Sequence, residues 1–345
     1  MTAPAELPRA AIFGIGGPRL TAPERAFLGR AQPFGFILFE RNCADPDQVR
    51  TLTAALRASV GRADAPILID EEGGRVQRLK PPHWPKRPAA GAIGALYRAD
   101  RERGLRAAWL AGRLIAADLF PLGIDVDCAP VADVPAPGSH GIIGDRAFGA
   151  DPGAVTALAR AMSEGLIAGG VLPVVKHIPG HGRAHADSHL ELPRVGASRA
   201  ELAASDFAPV RALAELPYAM TAHVLYEAFD AARPATLSPV VIAQVIRDTI
   251  GFKGLLMSDD LSMAALAGSL GARAAKALAA GCDLVLHCNG KLSEMEEVAA
   301  MTPALPAARL AYYRSWAARI APAPVYRDAA ALELAGMLAA GAAAC

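Results

Sequence analysis

A chain of 345 residues with 53% apolar and 20% charged positions can bury a large core and is too apolar to stay disordered. Its formal net charge of +1 excludes the electrostatic footprint of a nucleic-acid binder. No apolar stretch reaches the roughly 18 residues of a membrane helix, so no membrane partner is expected.

In chain order, the N-terminal stretch has Glu6 and Pro8 where a secretory leader needs its apolar segment. Five cysteines (Cys43, Cys128, Cys282, Cys288 and Cys345) are widely spaced with no CxxC, and Cys128 and Cys282 lie in apolar runs. Buried thiols and a reducing compartment fit this pattern, and a cytoplasmic monomer is expected. Short apolar runs recur at Ala11–Ile15, Gly35–Phe39, Pro66–Ile69, Ile124–Cys128, Leu172–Val175, Tyr218–Thr221, Gly254–Met257 and Asp283–Leu286. Between them, helical periodicity predicts Pro23–Gly29, Asp47–Ser59, Ala99–Asp118, Pro152–Ala168, Arg199–Ala214, Pro239–Asp248 and Ser262–Ala280. The tail from Ala329 to Cys345 reads as a terminal helix. Alternating strands and helices predict a parallel sheet with right-handed crossovers. Eight strands favour an α/β fold of the (β/α)8 type over an open sheet. One domain is expected over 1–345, with 291–345 as a C-terminal helical segment.

A barrel places chemistry at the C-terminal ends of its strands. Polar residues fall there: Asp70, Asp127, Lys176 and His177, His223, Asp259 and Asp260, and His287 with Asn289. Two long connections, Glu71–Arg98 and Ala129–Pro152, leave the same end and are rich in Pro and Gly, as binding-site walls often are.

Three segments carry candidate chemistry. In Lys176-His177-Ile178-Pro179-Gly180-His181-Gly182, followed by His185, Asp187 and His189, four histidines recur every fourth residue. On a helix they would form a metal face, but Pro179, Gly180 and Gly182 oppose a helix, so the spacing is read as incidental and no metal is expected. Asp187 and His189 can bond across a tight turn, where a carboxylate fixes the tautomer of a general acid/base. In Ser258-Asp259-Asp260-Leu261-Ser262, either aspartate can simply cap the next helix; if the fold is a barrel, one caps and the other points into the pocket mouth as a carboxylate nucleophile. In Ile69-Asp70-Glu71-Glu72-Gly73-Gly74-Arg75-Val76-Gln77-Arg78, the glycine pair allows a sharp turn, and acids with arginines can bracket a polyhydroxylated ligand. A solvated charged loop is the bland alternative.

Together, IDEEGGRVQRL, PPHWPKRPAAGAIG, IIGDRAFGADP, KHIPGHG with ADSH, MTAHVLY and GFKGLLMSDDLSM resemble, in order, the motifs of family 3 glycoside hydrolases, from about residue 11 to 290. Within that family they look most like bacterial β-N-acetylglucosaminidases of peptidoglycan recycling. The resemblance implies a (β/α)8 barrel, no cofactor, and a small-molecule sugar substrate carrying terminal N-acetylglucosamine. It implies Asp259 as nucleophile, His189 as acid/base oriented by Asp187 on a mobile loop, and Asp70, Arg78, Arg146, Lys176 and His177 as sugar-binding residues. Ile178 stands where the family usually has Phe, and Arg183 and His185 occupy variable loop positions, with Arg183 expected to alter contacts with an aglycone. Retaining glycosidases ordinarily use two carboxyls. A histidine acid/base is neutral once deprotonated and repels an incoming anion less, so a phosphorylase is the alternative reading. A metal-dependent barrel hydrolase and a non-catalytic sugar-binding protein are the more distant ones.

Overall fold

The computed structural model describes residues 7–342, so Glu6 and Cys345 lie outside the described residues. Eight parallel strands close into a barrel: β1 (Arg9–Gly14), β2 (Pro33–Leu38), β3 (Ile67–Ile69), β4 (Val126–Asp127), β5 (Leu172–Ile178), β6 (Tyr218–Thr221), β7 (Leu255–Asp260) and β8 (Leu284–His287). Each expected apolar run overlaps one of them. The strands are apolar on both faces because both are covered, as in all-parallel sheets. Ile12, Phe34, Leu68, Val126, Leu172, Val174, Tyr218, Met257 and Leu284 fill the interior. The alternate residues Phe13, Phe36, Ile67, Val175, Ala219, Leu256 and Val285 pack outward under the helices.

The outer layer is built from helices α1 (Ala22–Ala31), α2 (Pro46–Ser59), α3 (Ala90–Ala99), α4 (Arg101–Leu119), α5 (Pro152–Ala168), α6 (Arg199–Ala204), α7 (Phe207–Ala212) and α8 (Leu270–Ala280), and a π-helix over Val241–Thr249. Their starts follow local chemistry. Asp45 caps α2 by accepting the Gln48 amide at 2.9 Å, with Pro46 in the first turn, and Asp151 caps α5 through the Ala154 amide at 2.7 Å. One expected helix is divided, residues 199–214 breaking between α6 and α7; the helix expected over Ala99–Asp118 is α4, capped by Asp100, and α3 forms at the end of the long connection expected over Glu71–Arg98. In the C-terminal segment, α9 (Leu292–Ala300), α10 (Ala307–Ala317) and α11 (Arg327–Ala342) follow β8. Helix α10 stops the N-terminal end of the barrel: Leu310 and Tyr313 join the interior core, and Tyr313 meets Phe34 edge-on at 5.1 Å. The opposite end is therefore the open one. Cys128 and Cys282 are free and buried, as expected. No helix among the described residues is long and apolar enough to cross a membrane.

Candidate active site

At the C-terminal end of the barrel a cavity of about 220 Å³ is lined by residues from most strand ends. The volume lies below the roughly 300–1,000 Å³ of sites for drug-sized ligands and suits one sugar ring rather than a chain. The two long connections wall it, contributing Glu72, Arg75, Val76 and Arg78 from one and Ile142, Ile143 and Arg146 from the other. The first wall turns sharply because Gly73 and Gly74 sit at φ +88° and +59°; a Cβ on Gly73 would also lie 2.4 Å from the Pro88 carbonyl oxygen.

Five charges alternate across one side of the cavity. Lys176, at the end of β5, donates to Asp70 at 2.8 Å and reaches Glu72 at 2.6 Å. Arg78 donates to the other oxygen of Asp70 at 3.1 Å, and Arg146 clamps Glu72 with two bonds of 2.9 and 2.8 Å. Burial by itself would raise both carboxyls, but Lys176, with Arg78 on Asp70 and Arg146 on Glu72, holds each below its ordinary range. Burial would likewise lower Lys176, yet Asp70 and Glu72 keep its ammonium above the usual value. The row therefore stays fully ionised near neutral pH, with fixed donors and acceptors of the kind that recognise hydroxyl groups.

His177 is oriented from behind. Its Nδ1 lies 2.7 Å from Oδ2 of fully buried Asp133, whose other oxygen accepts the amides of His177 at 3.2 Å and His181 at 2.6 Å. Burial acts to raise the Asp133 carboxyl, but His177 and those N–H groups bring it down to about 2. The carboxylate keeps the proton on Nδ1 and leaves Nε2 free.

The two aspartates of β7 separate by role. Asp260 accepts the hydroxyl of Ser262 at 2.5 Å and the amides of Ser262 and Cys288 at 3.1 Å each, tying the strand exit to the end of β8. Asp259 accepts only the Asp260 amide, at 2.8 Å, and lines the cavity. Its carboxyl is pushed up by burial and held down, on balance, by the His223 and His177 rings, the Asp260 amide and Lys176. The helix expected from Ser262 begins later. Residues 261–268 form turns, and α8 starts at Leu270 behind the cap Ser269, so Asp260 fastens a turn rather than capping a helix.

His223 sits behind this pair, with Nε2 3.0 Å from the Asp260 carbonyl and Nδ1 2.7 Å from the Thr236 hydroxyl. A carbonyl only accepts, so Nε2 carries a proton, and burial lowers the ring's proton affinity. Asp127 is fully buried, with one oxygen on the Glu71 amide at 3.0 Å, and does not reach the cavity. His287 and Asn289 turn to Glu294 instead.

Over the cavity the loop after β5 carries Asp187 and His189. His189 Nδ1 lies 2.8 Å from Asp187 Oδ1, which also accepts the His189 amide at 2.9 Å. Slight burial would raise the Asp187 carboxyl, but those contacts hold it below its usual range. His189 is well exposed, yet it lines the same cavity as Asp259. The four histidines of the segment do not converge. His177 bonds to Asp133, His181 to Ser188 at 3.0 Å, His185 to the Gly138 carbonyl at 3.0 Å and His189 to Asp187. Arg183 donates to Asp206 at 2.6 Å and Ser205 at 2.8 Å, fastening the base of the loop.

Two residues of this arrangement were not singled out from the sequence. Glu72 was one of three adjacent acids with no mark to rank it. Asp133 had a signal: an acid inside the apolar stretch Cys128-Ala129-Pro130-Val131-Ala132-Asp133-Val134 must find partners if it is buried.

Residues 14–311 match the family model described as "Glycosyl hydrolase family 3 N terminal domain". Among curated relatives, a β-hexosaminidase of Alkalilimnicola ehrlichii is 44% identical over 282 residues, covering 81% of this chain and 80% of the relative. One from Methylococcus capsulatus is 45% identical over 282 residues, covering 81% and 82%. Among solved structures, NagZ from Neisseria gonorrhoeae in complex with N-trifluoroacetyl-D-glucosamine superposes with a TM-score of 0.84 at 35% identity, over 99% of this chain and 98% of that one.

Proposed function

Because the chain belongs to glycoside hydrolase family 3 and is a glycoside hydrolase of the β-hexosaminidase kind, we propose that it is a retaining exo-β-N-acetylglucosaminidase working through a glycosyl–Asp259 intermediate. The observation that carries the reading is one cavity lined by both Asp259 and His189, the latter paired with Asp187. Asp259 enters the reaction ionised, as a nucleophile must. Its oxygen attacks the anomeric carbon while the His189 ring gives a proton to the departing glycosidic oxygen. In the second half, His189 takes a proton from water, water oxygen bonds to the anomeric carbon, and Asp259 leaves. Two displacements at one carbon retain its configuration. Asp187 holds one proton on Nδ1 throughout, so Nε2 is the nitrogen that exchanges protons: the cycle begins and ends with the imidazolium that Asp187 stabilises, and the ring is neutral in the glycosyl–enzyme.

Asp70, Arg78, Arg146, Lys176 and His177 hold the sugar in this reading, and Glu72 fixes two of those cations. A cavity of one-ring size favours removal of a terminal residue over internal cleavage. An N-acylated glucosamine as substrate is supported by the ligand of the Neisseria gonorrhoeae structure. GlcNAc-1,6-anhydroMurNAc-peptides as natural substrates, and work in the cytoplasm, rest on family likeness. The single catalytic domain over 1–345, with 291–345 as its C-terminal part, belongs to the same proposal.

The test combines variants and products. Asp259→Ala should abolish turnover with the fold intact. His189→Ala should slow substrates with poor leaving groups far more than activated aryl glycosides, which need little protonation; equal losses would remove the acid role. With phosphate present, free sugar is expected. Sugar-1-phosphate as the main product would replace hydrolysis by phosphorolysis, the reading that a histidine acid/base keeps open.

A further inference from the structure

Ser188 lies between the two members of the acid/base pair and behaves differently from both. It is 3% exposed, while His189 is exposed and Asp187 half-exposed. Its hydroxyl is 3.0 Å from Nε2 of His181, and its carbonyl accepts the amide of Ala265 at 3.3 Å. The loop is thus pegged at one residue to two elements. Through His181, whose amide is on Asp133, it is tied to the group that orients His177. Through Ala265 it is tied to the turn that follows Asp259 and Asp260. The His181 ring is buried, stacks edge-on against His177 at 5.5 Å between centroids, and has no partner for Nδ1. A buried N–H without an acceptor is rarer than an acceptor without a donor, which places the proton on Nε2 and makes His181 the donor to Ser188.

We propose that His181 and Ser188 are positioning residues, a latch that holds the Asp187–His189 pair over the cavity opposite Asp259. This rests on His189 being the acid/base. The latch acts through the pair and makes no bond to the reacting atoms. A hydrogen bond between neutral groups in the interior favours the docked loop by about three- to tenfold, and losing it lowers the ratio of docked to undocked loop by the same factor, which sets the upper bound on the loss of docked enzyme.

Ser188→Ala removes only the hydroxyl and leaves the Ala265 bond in place. With a poor-leaving-group N-acetylglucosaminide, kcat is expected to fall by up to about tenfold, and with an activated aryl glycoside by less. The decisive measurement is the same substitution made on His189→Ala. Once the ring being positioned is gone, Ser188→Ala should change nothing further, because residues acting as a unit are not additive. Limited proteolysis of unliganded protein should cut residues 183–190 faster in Ser188→Ala, with the thermal midpoint unchanged. Equal losses on both substrates, or an unchanged loss in the His189→Ala background, would overturn the latch. If His189→Ala itself has no leaving-group dependence, the acid/base reading fails instead, so the two failures are told apart.

Discussion

Lys176→Met tests the ionic row most directly. Methionine keeps most of the apolar stem and removes the ammonium that reaches Asp70 at 2.8 Å and Glu72 at 2.6 Å. At an effective dielectric of about 20, one such contact is worth ~6 kcal/mol before the cost of burying the charges. Breaking a buried pair from one side typically costs about 3–5 kcal/mol net. Arg78 still faces Asp70 and Arg146 still faces Glu72, so a loss near ~3 kcal/mol is expected in urea unfolding at pH 7.5. The sign with pH follows from the two carboxyls. In the parent their folded values are depressed, so their contribution is present above the unfolded value of about 4 and is lost only in acid. Without Lys176 each carboxyl loses a cation and titrates higher than in the parent, so as pH falls the folded variant takes up protons before the folded parent does. The gap between parent and variant should therefore narrow from pH 7.5 to pH 5. A loss under ~1 kcal/mol, or a gap that does not change with pH, would refute the assignment of one ammonium to two ionised acids.

Arg146→Lys replaces a two-pronged clamp on Glu72 by a point charge, and should raise KM about tenfold while kcat falls less; a change confined to kcat would place Arg146 away from ground-state binding. Gly182→Ala would set a Cβ 2.1 Å from the Val134 carbonyl oxygen, so the loop must lift; turnover of poor-leaving-group substrates should drop at least tenfold, read against an aryl substrate that changes little. Because Asp259 is held below the ordinary carboxylate range and is active when charged, its contribution is lost only as pH falls below about 4. In His189→Ala, kcat/KM for an aryl glycoside should accordingly be flat from pH 5 to 8; an acid limb within that window would contradict an ionised nucleophile.

Much of this arrangement was written locally. Apolar runs alternating with helical segments specify parallel strands, because two-sided burial leaves no polar face to encode. The polar residue that ends such a run, Lys176 or Asp259, falls at the open mouth by topology alone. The paired glycines at 73 and 74 announce the turn that forms the first wall.

What the chain order could not decide is which of several adjacent like residues faces the cavity. Asp70 and Glu72 turn to Lys176, whereas Glu71 between them turns away, accepts the Arg78 and Leu79 amides at 2.7 and 3.0 Å, and is pushed up to about 7 by burial. Asp259 and Asp260 both line the cavity but divide by their bonds, Asp260 being taken up by Ser262 and Cys288 while Asp259 accepts only one backbone amide. Asp133 acquires its role only when β4 and β5 lie side by side and bring it beneath His177. A carboxylate's function here depends on the cations and N–H groups that surround it. Those come from segments far apart in the chain, so composition and spacing supplied the candidates and the closed barrel chose among them.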